Sequence, residues 1–243
     1  MMWARRSRSR EDLRVPTEAV NVDWLDAVDR VIAEHHLLKH PFYQAWSHGT
    51  LPAASLRHYA REYHHHVLAF PTYLSALHSR LPRWEDRQVV LENLIEEDHG
   101  PRNHPALWRK FAAAVGVTAE ELRDVSPSPA TAASIAQFHE LGRQAPVTAG
   151  LASLYAYESI TPAVSTEKLR GLEQYYGVGA GAGSEFFALH ATLDVVHAAQ
   201  IRSLLNARVT NPEEAEHARR GAEQGLAALW ALLDQFETTP AVA

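Results

Sequence analysis

The sequence predicts an all-α protein built as a single bundle of about eight helices. Apolar residues recur with the 3.6-residue period of an amphipathic helix along most of the chain. Proline, glycine and capping residues stand at the ends of these segments, and no convincing strand pattern is present. The 243 residues, of which 46% are hydrophobic, can bury a sizeable core and fit one large domain as readily as two small ones.

Five helical segments are predicted in the first half of the chain. Asp23 suits an N-cap and precedes an apolar pattern of helical period. Pro71 should kink the longest segment, because an internal proline removes a backbone hydrogen bond. Pro105 is well placed in the first turn of the fifth segment. The predicted segments are residues 23–38, 42–46, 51–81, 84–99 and a helix opened by His104.

The second half continues the helical pattern. Thr118 and Glu121 resemble a capping box for a short helix. Thr161-Pro162 predicts a bend that divides residues 147–176 into two helices. The glycine-rich residues 177–183 form a flexible connection, and no strand precedes them as a dinucleotide-binding loop would require. The other predicted helices are residues 130–144, 183–209 and a last amphipathic helix from Asn211 to about Phe236.

Composition and charge limit the classes of function. The net charge of −6 argues against a nucleic-acid partner, and no apolar run of about 18 residues could span a membrane. The absence of cysteine excludes disulfides, cysteine-ligated clusters and a thiol nucleophile. Residues 1–20 form a basic tail that we expect to be flexible. Glu11 and Asp12 follow its arginines where an export signal would need apolar residues, so we expect a cytoplasmic protein.

One predicted helix carries a metal-ligand pattern. His190, Asp194 and His197 stand four and three residues apart, which brings their side chains into a sector roughly 60° wide. Imidazole and carboxylate groups both offer lone pairs to a divalent ion. The same stripe continues into apolar residues, so this face is predicted to be buried, where unpaired polar groups are costly. The pattern therefore indicates a metal site.

Three further side chains are candidate partners for this face. Glu97 and His104 are seven residues apart, or two helical turns, but Gly100 and Pro101 lie between them. We expect the two side chains to lie on the same face only if the helix is kinked at Gly100-Pro101 and does not end there. Glu158 is a lone carboxylate among large apolar residues. Each of these residues alone would more often be structural, whereas a metal site explains all of them together.

The combined set contains three carboxylates and three imidazoles from three helical segments, the donors of a non-haem dimetal site in a helical bundle. Oxygen donors with imidazole suit Fe or Mn better than a closed structural zinc site, and we expect such a site to activate dioxygen. The triplet at residues 64–66 is excluded from the ligand set, because consecutive residues of a helix point in different directions. At most one of them, for which we expect His65, faces the pocket.

Three blocks of the sequence resemble the haem-oxygenase-like dimetal oxidases, and most closely the branch of the Chlamydia protein associating with death domains. They are HPFYQAW at residues 40–46, ENLIEEDHG with NHPALW at residues 92–108, and the helix around Asp194. The resemblance implies one haem-oxygenase-like domain over residues 21–243, with the fold of the thiaminase (TenA) and pyrroloquinoline-quinone synthase (PqqC) proteins, usually as a homodimer. It implies two metal ions, Fe/Fe or Fe/Mn, with these ligands: Glu97, His104, Glu158, His190, Asp194 and His197.

That branch is known for making para-aminobenzoate, a folate precursor, from the protein's own side chains. A tyrosine supplies the ring, a lysine is implicated as the source of the amino group, and dioxygen with an external reductant drives the oxidation. Tyr43 matches the sacrificed tyrosine, Lys168 matches the lysine, and Tyr157 matches a second pocket tyrosine. The chain contains few lysines, so a lysine at this position is informative.

Other classes of function compete with this interpretation. Taken alone, Tyr43 would be a core aromatic and Lys168 a surface charge. A dimetal oxygenase acting on an external amino acid or fatty acid would keep the ligands without needing either residue. A non-catalytic partner-binding protein is disfavoured, because buried charged ligands without a metal are destabilising. A thiaminase would need a cysteine nucleophile that this chain lacks, and pyrroloquinoline-quinone synthase uses no metal.

Overall fold

The computed structural model describes residues 24–123 and 125–238, and within these ranges the chain is helical without any strand. The predicted all-α class is therefore confirmed. The basic tail at residues 1–20 and the N-cap predicted at Asp23 lie outside the described residues. The helices are α1 (Trp24–Glu34), a 3₁₀ helix (Leu37–Lys39), α2 (Pro41–His48), α3 (Ala53–Arg80), α4 (Trp84–Asp98), α5 (His104–Ala114), α6 (Ala119–Arg123), α7 (Pro129–Arg143), α8 (Val147–Tyr175), α9 (Glu185–Arg208) and α10 (Pro212–Leu233).

Local capping motifs stand at the ends of two short helices, and the predicted capping box is confirmed. Thr118 and Glu121 form the predicted capping box before α6: the Glu121 amide donates to Thr118 Oγ1 at 3.2 Å, and the Thr118 amide donates to Glu121 Oε2 at 2.8 Å. Gly49 ends α2 in the left-handed conformation with a φ of 69°. These short motifs set the ends of helices that the core then positions.

The prediction of two helices over residues 147–176 is wrong. Residues Val147–Tyr175 form one helix, α8, that continues through Pro162, and α3 likewise continues through Pro71. Although α8 is one helix where two were predicted, the described residues form ten α-helices, more than the predicted eight or so. Both of these proline-containing helices are buried along much of their length. Packing therefore keeps each helix continuous despite the backbone hydrogen bond that its proline removes.

The centre of the bundle is α8, which packs between α9 and α10. Small residues permit the close approach of α10: a Cβ atom added at Gly221 would overlap the backbone of Ala149 on α8. The backbone of two packed helices cannot shift locally to accept an extra methyl group. This close contact fixes α8 and, with it, the buried side chains that α8 contributes to the interior.

We expect Gly221→Ala to destabilise the protein by about 1–3 kcal/mol, because the new methyl group overpacks the α8–α10 contact. Urea denaturation followed by circular dichroism measures this change in the free energy of unfolding. Gly179→Ala is the matched control, since no atom lies within 4 Å of a Cβ placed there and its φ is not positive. Equal midpoints for the two variants would contradict the assigned role of Gly221.

The last helix ends at Leu233, slightly earlier than predicted, and Asp234–Phe236 form a C-terminal segment that folds back on the bundle. The Asp234 carboxylate lies 3.0 Å from His40 Nε2. Gln235 accepts a hydrogen bond from Ser128 at 2.7 Å. The Phe236 ring packs on Phe42, with centroids 5.2 Å apart, and on Tyr59 at 5.6 Å. The segment therefore covers one end of the aromatic core.

No helix in the described part of the chain combines the length and apolar character needed to cross a bilayer.

Candidate metal and oxidation site

The turn between α4 and α5 brings Glu97 and His104 together. Helix α4 ends at Asp98, so the expectation that this pair needs a continuous kinked helix is wrong. Gly100 takes a left-handed conformation with a φ of 80°, and Asn103 caps α5 by accepting from the Ala106 amide. The result places His104 Nδ1 only 2.5 Å from Glu97 Oε2, with both side chains buried.

Helix α9 presents His190, Asp194 and His197 on one buried face, as predicted. The His190 and His104 rings lie 4.3 Å apart. His190 Nδ1 lies 2.7 Å from the carbonyl oxygen of Phe186, which leaves Nε2 directed away from its own helix backbone. His197 Nε2 lies 2.9 Å from the Glu96 carboxylate.

Glu158 reaches the same region from α8 and is 1% exposed. Asn93 donates a hydrogen bond to Glu158 Oε1 at 2.7 Å, while Oε2 has no partner. A cavity of about 10 Å³, at the lower limit for one water molecule, lies beside Glu158. Its lining includes four of the six candidate ligands: Glu97, Glu158, His190 and Asp194.

These side chains suit a metal ion because several of their nitrogen and oxygen atoms have no hydrogen-bond partner. The ligand atoms of Glu97, His104 and His190 all lie within 4.8 Å of one another, while Glu158, Asp194 and His197 lie outside that group. His104 Nε2, Glu158 Oε2 and His197 Nδ1 are buried without a hydrogen-bond partner, and His104 Nδ1 has only the Glu97 carboxylate beside it. Unpaired buried polar atoms are rare in folded proteins, and here they are nitrogen and oxygen atoms of candidate ligands. Two lone-pair atoms as close as those of Glu97 and His104 require a proton or a cation between them.

The electrostatics of the site also favour a cation. Burial raises the pKa of Glu97 and of Glu158 to about 8. Burial alone would lower the pKa of His197, but the Asp194, Glu158 and Glu96 carboxylates raise it to about 9. Burial lowers the pKa of His104 and of His190 to about 4, so both are neutral at pH 7 and can bind a metal without losing a proton. Without a cation, the site holds protons at Glu97, Glu158 and His197.

Metal binding should therefore strengthen as pH rises from about 6 to 9, because Glu97, Glu158 and His197 must release protons to become ligands. The stability of the metal-free protein changes in the opposite sense. The folded metal-free protein binds these protons more tightly than the unfolded chain, so its free energy of unfolding falls across this range, and metal offsets the loss. The gain in Tm on adding Mn²⁺ should be larger at pH 8 than at pH 6. An equal gain at both pH values would argue against these three groups as ligands.

Lys168, also on α8, lies in an aromatic chamber formed by Tyr43, Tyr59, Tyr63 and Phe187. Its Nζ donates a hydrogen bond to the Tyr59 hydroxyl at 2.6 Å and lies 5.2 Å from the centroid of the Tyr43 ring. Tyr43, Tyr59 and Lys168 are all less than 5% exposed. Among the described residues, Lys168 forms no ion pair with a carboxylate. Burial lowers the pKa of its amine to about 7, which leaves a large uncharged fraction near neutrality.

A row of phenols joins this chamber to the metal-binding cavity. The Tyr43 hydroxyl lies 3.5 Å from the Tyr59 hydroxyl, and the Tyr59 and Tyr63 rings lie 5.1 Å apart. The Tyr63 hydroxyl is 3.0 Å from the hydroxyl of Tyr157, which lines the cavity. Tyr43, Tyr157 and Lys168 are therefore parts of one connected interior, although they come from α2 and α8.

Comparison with known proteins places this chain in a family. The profile of the haem-oxygenase-like family described as "Iron-containing redox enzyme" matches residues 57–230. The chain belongs to this family. It is 40% identical to a 4-aminobenzoate synthase of Chlamydia pneumoniae, over 88% of this chain and 94% of that protein. It is 39% identical to a 4-aminobenzoate synthase of Nitrosomonas europaea, over 85% and 88% of the two chains. The resemblance that the three sequence blocks indicated is thus confirmed.

Solved structures of haem-oxygenase-like proteins share the fold. A CADD-like protein of unknown function from Nostoc punctiforme has a TM-score of 0.72 at 18% identity, covering 88% of this chain and 96% of the other. A TenA homologue from Pseudomonas syringae has a TM-score of 0.73 at 19% identity, covering 87% and 91%. The predicted haem-oxygenase-like fold is therefore confirmed.

Several side chains of this redox-enzyme site were not predicted from the sequence. Asn93 and Glu96 contact candidate ligands, and Tyr59 and Tyr63 surround the lysine. The expectation that His65 faces the pocket is wrong: His66 lines the cavity, while His65 is half-buried away from it. One signal in the sequence could have predicted this face of α3. Its residues Tyr59, Tyr63 and His66 are spaced four and then three positions apart, as on one side of a helix.

Proposed function

We propose that this protein synthesises 4-aminobenzoate from its own side chains, using the Tyr43 ring and the Lys168 amine. The observation that carries the proposal is the buried Lys168 amine, which donates a hydrogen bond to the Tyr59 hydroxyl and lies 5.2 Å from the Tyr43 ring centroid. Similarity to 4-aminobenzoate synthases over most of the chain supports the same product. The proposed cofactor is a pair of non-haem metal ions, Fe/Fe or Fe/Mn, and the predicted homodimer stays a prediction.

The proposed reaction breaks the Cα–Cβ bond of Tyr43, so that Cα takes up a hydrogen atom and residue 43 remains as a glycyl residue. Cβ is oxidised to the carboxyl carbon of the product, with oxygen atoms from dioxygen and water. A carbon–nitrogen bond replaces the phenolic carbon–oxygen bond, whose oxygen leaves as water. The nitrogen comes from Lys168, and the bond between its Nζ and Cε breaks to leave an aldehyde at Cε after hydrolysis. Dioxygen is the oxidant, and an external reductant supplies the remaining electrons.

Each part of the interior has a role in this scheme. The proposed ligands are the six buried candidate side chains, four of which line the small cavity, and the metal ions they would hold would supply the one-electron and dioxygen chemistry. The Tyr157–Tyr63 hydrogen bond and the adjacent Tyr59 ring offer a path for oxidation from the cavity to Tyr43. Lys168 holds its amine beside the ring, and its lowered pKa makes a nucleophilic, uncharged nitrogen available at neutral pH.

A second candidate function is a dimetal oxidase that acts on an external small molecule. A 4-chloro-allylglycine synthase of Streptantibioticus cattleyicolor is 23% identical over 88% of this chain and 81% of that protein. The cavity beside the candidate ligands measures about 10 Å³, which leaves no room for an amino acid or a fatty acid. The larger groove, of about 700 Å³, is lined by parts of α3 and α4 and contains none of the candidate ligands. The dimensions of the interior therefore favour the protein's own side chains as the substrate.

Isotope labelling separates the two functions. Protein made with ring-labelled tyrosine is loaded with iron and manganese and given a reductant and dioxygen. We expect labelled 4-aminobenzoate, at most about one molecule per chain, together with loss of the Tyr43 side chain in the mass of the intact protein. Many product molecules per chain, or unlabelled product from labelled protein, would refute the self-consuming reaction in favour of an external substrate.

A further inference from the structure

His66 is a buried histidine whose side chain has no hydrogen-bond partner among the described residues. It is 1% exposed, and neither of its ring nitrogens is paired. A neutral imidazole carries one N–H donor and one acceptor nitrogen. Leaving both without a partner in the interior costs free energy comparable to lost hydrogen bonds. An unpaired buried histidine therefore calls for a bound partner.

The surroundings of His66 show where that partner lies. Aromatic rings surround the imidazole on several sides, with centroids 5.0 Å away at Tyr63, 5.4 Å at Phe138 and 5.6 Å at Tyr157. None of these contacts includes a hydrogen bond to His66. The remaining side opens into the cavity of about 10 Å³ that Glu97, Glu158, His190 and Asp194 also line.

The size and chemistry of the cavity define the partner. A volume at the lower limit for one water molecule admits a water or a diatomic molecule, and nothing as large as a metabolite. Most of the polar groups that face it are candidate metal ligands, so a molecule bound to the metal would lie beside the imidazole. Burial lowers the pKa of His66 to about 3, and Lys168 acts in the same direction, so the ring is neutral and keeps a single N–H.

We propose that His66 is a positioning residue that donates a hydrogen bond to the small oxygen-containing molecule, water or dioxygen, in this cavity. It acts alongside the six candidate ligands and is not a member of that set. The proposal extends the reaction machinery to α3, which contributes none of the candidate ligands. It rests on the metal site of the proposed function and does not depend on the source of the aromatic ring.

Nitric oxide is the probe, because it is a diatomic molecule that binds ferrous iron and can accept a hydrogen bond. His66→Phe keeps an aromatic ring but removes the donor, and His66→Gln restores an N–H donor. His64→Phe is the matched control: His64 is a buried histidine of the same helix that does not line the cavity. Each protein is loaded anaerobically with Fe²⁺, and its iron content, nitric oxide affinity and N–O stretching frequency are measured.

We expect His66→Phe to bind iron like the wild type and nitric oxide roughly 2- to 13-fold more weakly, the loss that corresponds to one hydrogen bond. His66→Gln should recover most of the affinity and the N–O frequency, and His64→Phe should match the wild type. Unchanged affinity and frequency in His66→Phe would overturn the proposal. The same change in N–O frequency in all three variants would also overturn it, because the effect would then not be specific to the donor.

Two further outcomes are decisive. Loss of iron from both His66 variants would show that His66 is a ligand, which also overturns the proposal. If His66→Phe does not fold, His66→Leu, which also lacks a donor, replaces it: weaker nitric oxide binding with a shifted N–O frequency supports the proposal, and wild-type values reject it. Failure of the wild-type protein to bind iron would instead refute the metal site of the proposed function.

Discussion

Tyr43→Phe protein is expected to form no 4-aminobenzoate while binding metal like the wild type. The yield should fall from about one product molecule per chain to background, because phenylalanine keeps the buried ring but lacks the oxygen through which the ring is oxidised and aminated. Tyr43 lies in the aromatic chamber and not among the candidate ligands, so metal content should not change. Product is measured by liquid chromatography with mass spectrometry, and metal by elemental analysis.

The lysine gives the companion experiment. Lys168→Arg should lose product to the same extent, because a guanidinium stays charged and cannot donate an amine nitrogen. Tyr175→Phe and Lys110→Arg are the matched controls, since both residues lie at the surface. Normal product from either the Tyr43 or the Lys168 variant would remove that side chain from the reaction.

The second large effect is expected at the metal site. Asp194→Ala should abolish metal-dependent oxidation and reduce metal binding to background, because Asp194 is a buried candidate ligand that also lies 3.6 Å from His197 Nδ1. The helical content should stay close to that of the wild type, since the apolar core of the bundle is unchanged. Circular dichroism and metal stoichiometry, measured on the same sample, separate loss of the site from loss of the fold.

His65→Ala is the control for Asp194→Ala. His65 lies on α3, is half-buried, and does not line the cavity, so its loss should change metal content little. Equal metal loss in the two variants would mean that the proposed set of ligands is wrong.

Much of the fold could be predicted from local sequence because helices bury apolar stripes of a fixed period. The capping box at Thr118 and the α9 stripe through Asp194 depend only on neighbours within a few residues. The break predicted at Pro162 was wrong because the rule for proline is local, whereas α8 is held by α9 and α10 on either side. Tertiary packing there outweighs the lost backbone hydrogen bond.

The candidate site could be predicted in part for the same reason. His190, Asp194 and His197 share one helix, so their spacing reveals their common face. The proximity of Glu97 to His104 depends on the turn around Gly100, and helical spacing cannot describe a turn. Asn93 reaches Glu158 across two helices, a contact without any signal in a single sequence.

The C-terminal segment has a consequence for the timing of the reaction. Phe236 closes the aromatic wall next to Tyr59, and the chamber behind it is sealed from solvent. A product cut from Tyr43 would be a loose molecule enclosed by the protein that made it. Its escape requires packed side chains to move, and detaching Asp234–Phe236 breaks side-chain contacts without unwinding a helix. Product formation and product release then have separate rates. Samples denatured with acid should contain 4-aminobenzoate before any is found free in the surrounding solution.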